Sequence, residues 1–171
     1  MLERAKQRSR TRHERGAVLM EAAFVFPVLM MLVFGMVSLG LALSQRNAVD
    51  NAAREASRFG ATHPVTGSIA DWLDDVSDVA VAASTGELDA GAPGRYLCVA
   101  LANSTSDGRK VEVGTSSPSY SASGDCPGTS CPTSAPCVQV VLARTAKVDA
   151  VAFKRSIAID SSNVSTFERH S

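Results

Sequence analysis

A run of 24 residues without a charged side chain, residues 22–45, constrains this sequence more than any other feature. At about 1.5 Å of rise per residue, a helix of this length extends about 36 Å, which exceeds the roughly 30 Å hydrocarbon core of a bilayer. A buried core helix with no polar face would be unusual in a chain of only 171 residues. The run therefore predicts one transmembrane helix.

The charges on either side of this run indicate its orientation. Residues 1–16 carry six Lys or Arg side chains against two Glu, whereas the rest of the chain carries eleven basic and fifteen acidic side chains. The positive-inside rule places residues 1–16 in the cytoplasm as a basic leader and the C-terminal body outside the cytoplasmic membrane. Basic residues are not spread over the folded part, so the expected partner is membrane lipid and not nucleic acid.

A cleaved secretory signal is the competing interpretation, because such signals also combine a basic start with an apolar middle. Residues 42–44 (Ala-Leu-Ser) provide the small side chains of a cleavage site. The apolar run, however, is about twice as long as a typical signal core and contains Pro27. Its helical pattern also continues past the supposed cut, which favours a helix that stays in the membrane.

The helix should continue beyond the membrane, so that residues 17–60 form one long helical segment. In its outer part the apolar and charged residues fall on opposite arcs, and Asp50 and Arg54 have the i,i+4 spacing of an ion pair. Gly60 and the following His63-Pro64 are expected to end the helix. The apolar arc is mostly alanine and predicts that another element approaches it closely: Ala48, Val49, Ala52, Ala53, Ala56 and Phe59.

Residues 61–171 are predicted to form a small α+β extracytoplasmic domain, with helices on one face of a short antiparallel sheet. A second helix is expected at residues 69–83, with Ser68 as its cap and Asp71 in a capping-box position. Residues 114–136 are rich in Ser, Gly, Pro and Thr, which predicts a long loop. Strands are expected at residues 95–101, 110–113 and 137–147, with a weaker one that starts at 156 and ends between 160 and 165.

The second helix carries four aspartates on the arc opposite its apolar residues. A calcium loop needs ligands at alternating positions on a chain that wraps the ion, with a glycine for the turn. Four carboxylates along the back of a helix indicate instead a face exposed to solvent, and neither a metal nor a cofactor is expected. These residues are Asp71, Asp74, Asp75 and Asp78.

All four cysteines lie in the part of the chain that is expected outside the cytoplasm, where thiols are oxidised. Their spacing lacks the C-x2-C motif of a structural zinc site, so one or two disulfides are the favoured use. Four cysteines allow three pairings, and the sequence does not choose among them. The candidates are Cys98, Cys126, Cys131 and Cys137.

The start of the apolar segment contains one residue that needs an explanation. Glu21 is a lone carboxylate near the beginning of the helix, and an ionised group in hydrocarbon is costly unless it is paired or reaches the headgroups. If a peptidase cut after Gly16, Ala17 would start the mature chain with a new amine. That amine on a neighbouring subunit could neutralise Glu21 in a medium of low dielectric constant.

Gly16, followed by an apolar helix that contains Glu21, resembles the start of type IV prepilin-like proteins. The wider pattern adds Pro27, two helix glycines and the block Asn-Ala-Ala-Arg-Glu-Ala-Ser-Arg at residues 51–58. This combination is similar to the TadE-like family, the pilin-like (pseudopilin) proteins of tight-adherence, or Flp, pilus systems. The resemblance covers about residues 12–60.

The resemblance implies cleavage between Gly16 and Ala17 by a prepilin peptidase and a role in the assembly or secretion of a pilus. The implied partners are that peptidase and other pilins or pseudopilins. An enzyme is not expected, because His13, His63 and His170 share no local motif with a Ser or Cys nucleophile. A membrane-anchored or secreted binding domain unrelated to pili is the alternative, since such a domain needs neither Gly16 nor Glu21.

Overall fold

The computed structural model describes residues 2–104, 106–122, 124–132, 135–150 and 153–167, without the side chains of residues 2–17, 147–150 and 153–154. The chain forms two compact units. One contains residues 1–40 and 149–154, and the other contains residues 41–148 and 155–171. The expected α+β class is confirmed. The elements are helices α1 (Leu2–Thr62) and α2 (Ile69–Ala83) and strands β1 (Tyr96–Ala102), β2 (Gly108–Val113), β3 (Ser119–Ser121), β4 (Cys137–Ala150) and β5 (Phe153–Thr166).

Helix α1 has the length and composition of a membrane span over Val18–Thr62. Seventeen large apolar side chains between Val18 and Leu43 are each 45–76% exposed. An apolar surface on all sides of a helix is stable in lipid or against other apolar helices but not in water. This feature supports a membrane anchor.

The end of α1 differs from the prediction by two residues, because Gly60 lies inside the helix. A Cβ atom at Gly60 would lie 2.9 Å from Val138 Cγ1 and 3.1 Å from Trp72 Cζ2. Glycine at this position therefore allows close packing of α1 on β4 and α2. The helix stops before Pro64, and the His63 carbonyl accepts a hydrogen bond from Trp72 Nε1 at 3.1 Å.

Helix α2 has the predicted bounds and the predicted cap residue, Ser68, but the cap hydrogen bond is made one residue earlier than in a capping box. The Ser68 hydroxyl accepts a hydrogen bond from the Ala70 N–H at 3.1 Å instead of from the Asp71 N–H. Its buried side chains include Trp72, Leu73 and Val76. They belong to the main hydrophobic core together with the inward positions of the sheet.

The sheet has the strand order β3-β2-β1-β4-β5, and the pairs β1–β2, β1–β4 and β2–β3 are antiparallel. Successive side chains of β1 point to opposite faces. Leu97, Val99 and Leu101 join the core with α1 and α2, whereas Cys98 and Ala100 join a second, smaller cluster. Both faces of the central strand are therefore buried.

The region predicted as one long loop, residues 114–136, contains strand β3, so that prediction was wrong at residues 119–121. Three residues of β3 pair with β2, and the Ser119 hydroxyl bonds to the Val111 carbonyl at 3.3 Å. The edge of β2 offers backbone N–H and C=O groups that hydrogen-bond to a neighbouring segment, which explains why a Ser-rich segment becomes a short strand here.

Candidate assembly site

Ala17 and Glu21 lie one helical turn apart on α1, which corresponds to about 6 Å along the helix axis. The Glu21 side chain is exposed. The backbone at Gly16 and Ala17 is helical, and the Ala17 side chain lies outside the described part of the chain. The three predicted site residues therefore fall within two turns of one helix, and their order along it is Gly16, Ala17, Glu21.

Pro27 follows Glu21 inside the same helix. Because proline has no N–H, the carbonyl of Ala23 lacks its helical hydrogen bond. Ser38, further along, donates its hydroxyl to the Phe34 carbonyl at 2.8 Å and so satisfies its polar group within the helix. Glu21 cannot bond to a carbonyl of its own helix in this way, since an ionised carboxylate accepts but does not donate hydrogen bonds.

The alanine-rich arc is buried inside the chain's own domain. Ala52, Ala53 and Ala56 have no exposed surface and belong to the main core. Ser57 beside them accepts a hydrogen bond from Asn163 Nδ2 at 2.6 Å, which ties β5 to α1. The close approach that the alanines predict is made by elements of this chain, so this arc is not a surface for a partner.

The opposite arc of the same stretch is open. Arg46, Asn51, Arg54 and Glu55 are exposed, and Asp50 is half-buried. The predicted Asp50–Arg54 ion pair is not among the ion pairs of the described residues. The charges on this arc therefore have no ionic partner within the described part of the chain.

A network of charged side chains joins α2 to the sheet. Lys110 Nζ on β2 lies 2.8 Å from Asp74 Oδ1 and 2.8 Å from Glu112 Oε1. Arg95 bonds to the other Glu112 oxygen at 2.6 Å, and the Tyr120 hydroxyl donates to Asp74 at 2.7 Å. Asp74 keeps contact with solvent as predicted, but, unlike the prediction for a purely solvated face, its carboxylate also bonds to Lys110 and Tyr120.

The network shifts the proton affinity of its members. Burial is the largest single influence and by itself raises the pKa of Asp74 and of Glu112. The hydrogen bonds from Lys110 and Tyr120 to Asp74, and from Lys110 and Arg95 to Glu112, together with the attraction of these cations, outweigh it and hold both pKa values below their ordinary range. Burial lowers the pKa of Lys110, whereas its bonds to Asp74 and Glu112 raise it by more, so the net shift is upward. The hydrogen bond to Asp74, followed by burial, raises the pKa of Tyr120.

Sequence reasoning missed this network, although strand β2 offered a signal for it. Lys110 and Glu112 alternate with Val111, so one face of β2 must carry charge. Lys110 is paired with Val99 in the sheet, which places it on the face that α2 covers. A helix with Asp74 above this position provides the opposite charge.

The four cysteines form two disulfides in the structure, Cys98–Cys126 and Cys131–Cys137. Gln139 on β4, which is fully buried, holds the loop between them. Its oxygen accepts from the Cys126 N–H at 2.7 Å, and its amide donates to Asp125 Oδ1 at 2.9 Å. The segment that was too polar to form a core is thus fixed to the second face of the sheet by covalent and hydrogen bonds.

Comparison with known proteins identifies the N-terminal region. Residues 16–58 match the model of the family described as TadE-like protein. The family expected from the sequence motif is thereby confirmed over these residues. No curated protein and no solved structure matches the chain. The matched segment begins at Gly16, includes the exposed apolar helix with Glu21, and ends in the stretch whose alanines enter the domain core.

Proposed function

We propose that this chain, with its TadE-like segment at residues 16–58, is a membrane-anchored pseudopilin that takes part in the assembly or secretion of a tight-adherence (Flp) pilus. One observation carries the proposal: the family match begins at Gly16 and runs through an exposed apolar helix that contains the lone carboxylate of Glu21. The proposed role is structural and not catalytic. Through the pilus, it serves adhesion of the cell.

The proposed topology has a single pass, with residues 1–16 in the cytoplasm and the C-terminal domain outside. The basic leader supports this orientation. The two disulfides support it as well, because such bonds persist in oxidising compartments outside the cytoplasm. A prepilin peptidase then cuts between Gly16 and Ala17 at the membrane boundary.

Glu21 acts in assembly by pairing with the Ala17 amine of a neighbouring subunit. Removal of residues 1–16 would create that amine one helical turn before Glu21 in each chain. An ionised carboxylate in hydrocarbon is costly when alone, but an ammonium group at hydrogen-bond distance offsets the cost. The pairing sets neighbouring helices parallel and displaced by one turn.

The test compares Glu21→Gln with the wild-type chain in native membranes. Glutamine keeps the shape and the hydrogen-bonding capacity of glutamate but removes the charge. Insertion and processing should be unchanged, because Gly16 and the basic leader are intact, whereas cross-linking to pilin partners and pilus output should fall. Glu55→Gln makes the same change on the exposed part of α1 outside the membrane and serves as the control.

Wild-type cross-linking and piliation in Glu21→Gln would contradict the charge-pairing role and favour a carboxylate that only reaches the headgroups. Gly16→Phe provides the second arm, because a bulky residue should block cleavage while the apolar run still inserts. A chain whose function survives both changes is better described as a membrane-anchored binding domain, the alternative outlined above.

A further inference from the structure

Three charged residues follow one another at intervals of four along α1, immediately beyond its apolar part. We name Arg46, Asp50 and Arg54 the charged ridge. Residues four apart lie on the same side of a helix, so the ridge presents positive, negative and positive charge in one row. None of the ion pairs in the described part of the chain involves a ridge residue.

The ridge lies on the side of α1 that the domain leaves open. The arc with Ala52, Ala53 and Ala56 is occupied by the chain's own core. Arg46 and Arg54 are exposed, and Asp50 is half-buried. A neighbouring molecule that packs beside this part of α1 therefore meets the ridge and not the alanine arc.

The spacing of the ridge makes it complementary to itself at one displacement. Two copies inserted in one membrane with the same topology have parallel helices. If they are displaced by four residues, Asp50 of one copy lies level with Arg46 of the next, and Arg54 lies level with Asp50 of the next. Both contacts join opposite charges, and the displacement is the one that brings Glu21 level with the next copy's Ala17.

Other displacements along the same row are less favourable. Without displacement, each ridge residue lies level with the same residue of the other copy, so all contacts join like charges. At four residues the two opposite-charge contacts outnumber one like-charge contact, between Arg58 and Arg54. At eight residues, Arg54 meets Arg46 and Arg58 meets Asp50, so attraction and repulsion balance. The row thus favours a displacement of one helical turn.

We propose that the charged ridge is a contact surface for a second copy of this chain, packed parallel and displaced by one helical turn. The contact joins Asp50 to Arg46 and Arg54 to Asp50 between copies. It rests on the proposed function for the parallel packing in a membrane. It adds to the Glu21 contact a second set of ion pairs outside the membrane that selects the same displacement.

The test uses the full chain in membranes in two tagged forms, with a photo-reactive residue at the exposed position of Asn47. Asp50→Arg gives a wholly positive ridge, and the double variant Arg46→Asp with Arg54→Asp gives a wholly negative one. Each form alone should lose about tenfold in cross-linked pairs of like copies, because every ridge contact then joins like charges. Expressed together, the two forms should recover cross-linking to each other at the wild-type level.

This recovery separates a second copy from any other partner. A different protein with fixed charges would lose contact with one form and would not restore pairing between the two. Recovery also shows that both variants fold. Glu55→Arg is the control, because it changes the charge by the same amount as Asp50→Arg. Residue 55 lies level with the uncharged Asn51 of the next copy, so this variant should cross-link as the wild type does. Undiminished cross-linking in the two like-charged forms, or no recovery in the mixture, would overturn the inference.

The displacement itself is read by cysteine pairs. Asn47→Cys in one tagged form and Asn51→Cys in the other should give an intermolecular disulfide, whereas Asn51→Cys in both forms should not. Equal disulfide yields from both combinations would overturn the one-turn displacement. Glu21→Gln in the same assay distinguishes the two proposals. If Glu21→Gln lowers the yield of linked pairs and the ridge variants do not, only the ridge contact is overturned. If the ridge variants lower the yield and Glu21→Gln does not, only the Glu21 pairing is overturned.

Discussion

The ammonium group of Lys110 on β2 lies 2.8 Å from the carboxylate of Asp74 on α2. The Lys110 side chain is 5% exposed and that of Asp74 is 45% exposed, so the two ends of this ion pair lie in different surroundings. The lysine is desolvated and depends on its partners, whereas the aspartate retains contact with water. This asymmetry decides which of the two substitutions destabilises the domain more.

Lys110→Met should lower the free energy of unfolding by about 2 kcal/mol, because it leaves Glu112 with Arg95 alone and Asp74 without its cation. Asp74→Asn should cost less than about 1 kcal/mol, since water screens that end of the pair. Trp72 is the single tryptophan and is buried, so its fluorescence reports denaturant unfolding of the full chain in detergent. Asp75→Asn, on the exposed face of α2, is the control, and a larger loss for Asp74→Asn than for Lys110→Met would contradict this assignment.

The same network predicts a loss of stability in acid. Asp74 and Glu112 have pKa values below 3.8 and 4.5, their ordinary values, in the folded chain. Groups with lowered pKa values stabilise the fold above their unfolded pKa, and that stability is lost as the pH falls through the folded pKa. The free energy of unfolding should therefore decline below about pH 4.5. Glu112→Gln should flatten the decline, and an unchanged slope in this variant would count against the network as its source.

At alkaline pH, the free energy of unfolding should change in the opposite direction with rising pH. The pKa of Lys110 is above its ordinary 10.5, so its contribution is complete below that value and is lost as the pH rises through the raised pKa. Lys110→Met should weaken this dependence, to which Tyr120 also contributes through its own raised pKa, as measured by Trp72 fluorescence between pH 9 and about pH 12. Identical alkaline profiles for the variant and the wild type would exclude Lys110 as the titrating group.

The two disulfides should differ in their effects. The Cys98–Cys126 bond joins residues 28 apart, and the Cys131–Cys137 bond joins residues 6 apart. Loop-closure entropy gives about 3.5 kcal/mol for the first and about 2 kcal/mol for the second. Paired Cys→Ala variants, unfolded in the same way, should therefore rank in this order. Equal losses would show that the chain-entropy explanation does not hold here.

Gly60 provides a test of the packing between α1 and β4. Gly60→Ala places a methyl group 2.9 Å from Val138 Cγ1 and should destabilise the domain by about 1–3 kcal/mol. Gly35→Ala is the matched control, because a Cβ atom there has no neighbour within 4 Å. A stable Gly60→Ala variant would mean that α1 does not approach β4 as closely as described.

The sequence predicted the parts of the fold that are governed by local pattern. The span of α2, the long apolar helix α1 and the strand character of β1 and β4 follow from periodicity and composition. The helix was predicted to end at Gly60 and the following His63-Pro64, and it ends at Thr62, directly before His63. It continues past Gly60, where the absence of a side chain allows Val138 and Trp72 to pack closely. Strand β3 was missed because its stability comes from the edge of β2 and not from its own residues.

The assembly site shows the same division. Gly16, Ala17 and Glu21 were predicted from a local motif, and the family match spans their positions without assigning them a role. The burial of Ala52 and Ala56 by the chain's own domain could not be read from the sequence, since an alanine arc fits a partner as well as a core. The choice among disulfide pairings and the position of Gln139 between them also depend on contacts between distant segments.

The N-terminus of the mature protein tests the proposed function most directly. Intact-mass measurement of the chain extracted from its native membrane should show loss of residues 1–16, so that the protein begins at Ala17. A Gly16→Phe variant should retain the leader and still be found in the membrane fraction. A wild-type protein that keeps residues 1–16 would contradict processing as a prepilin-like chain, and one that begins at Gln45 would show that the apolar segment is a cleaved signal.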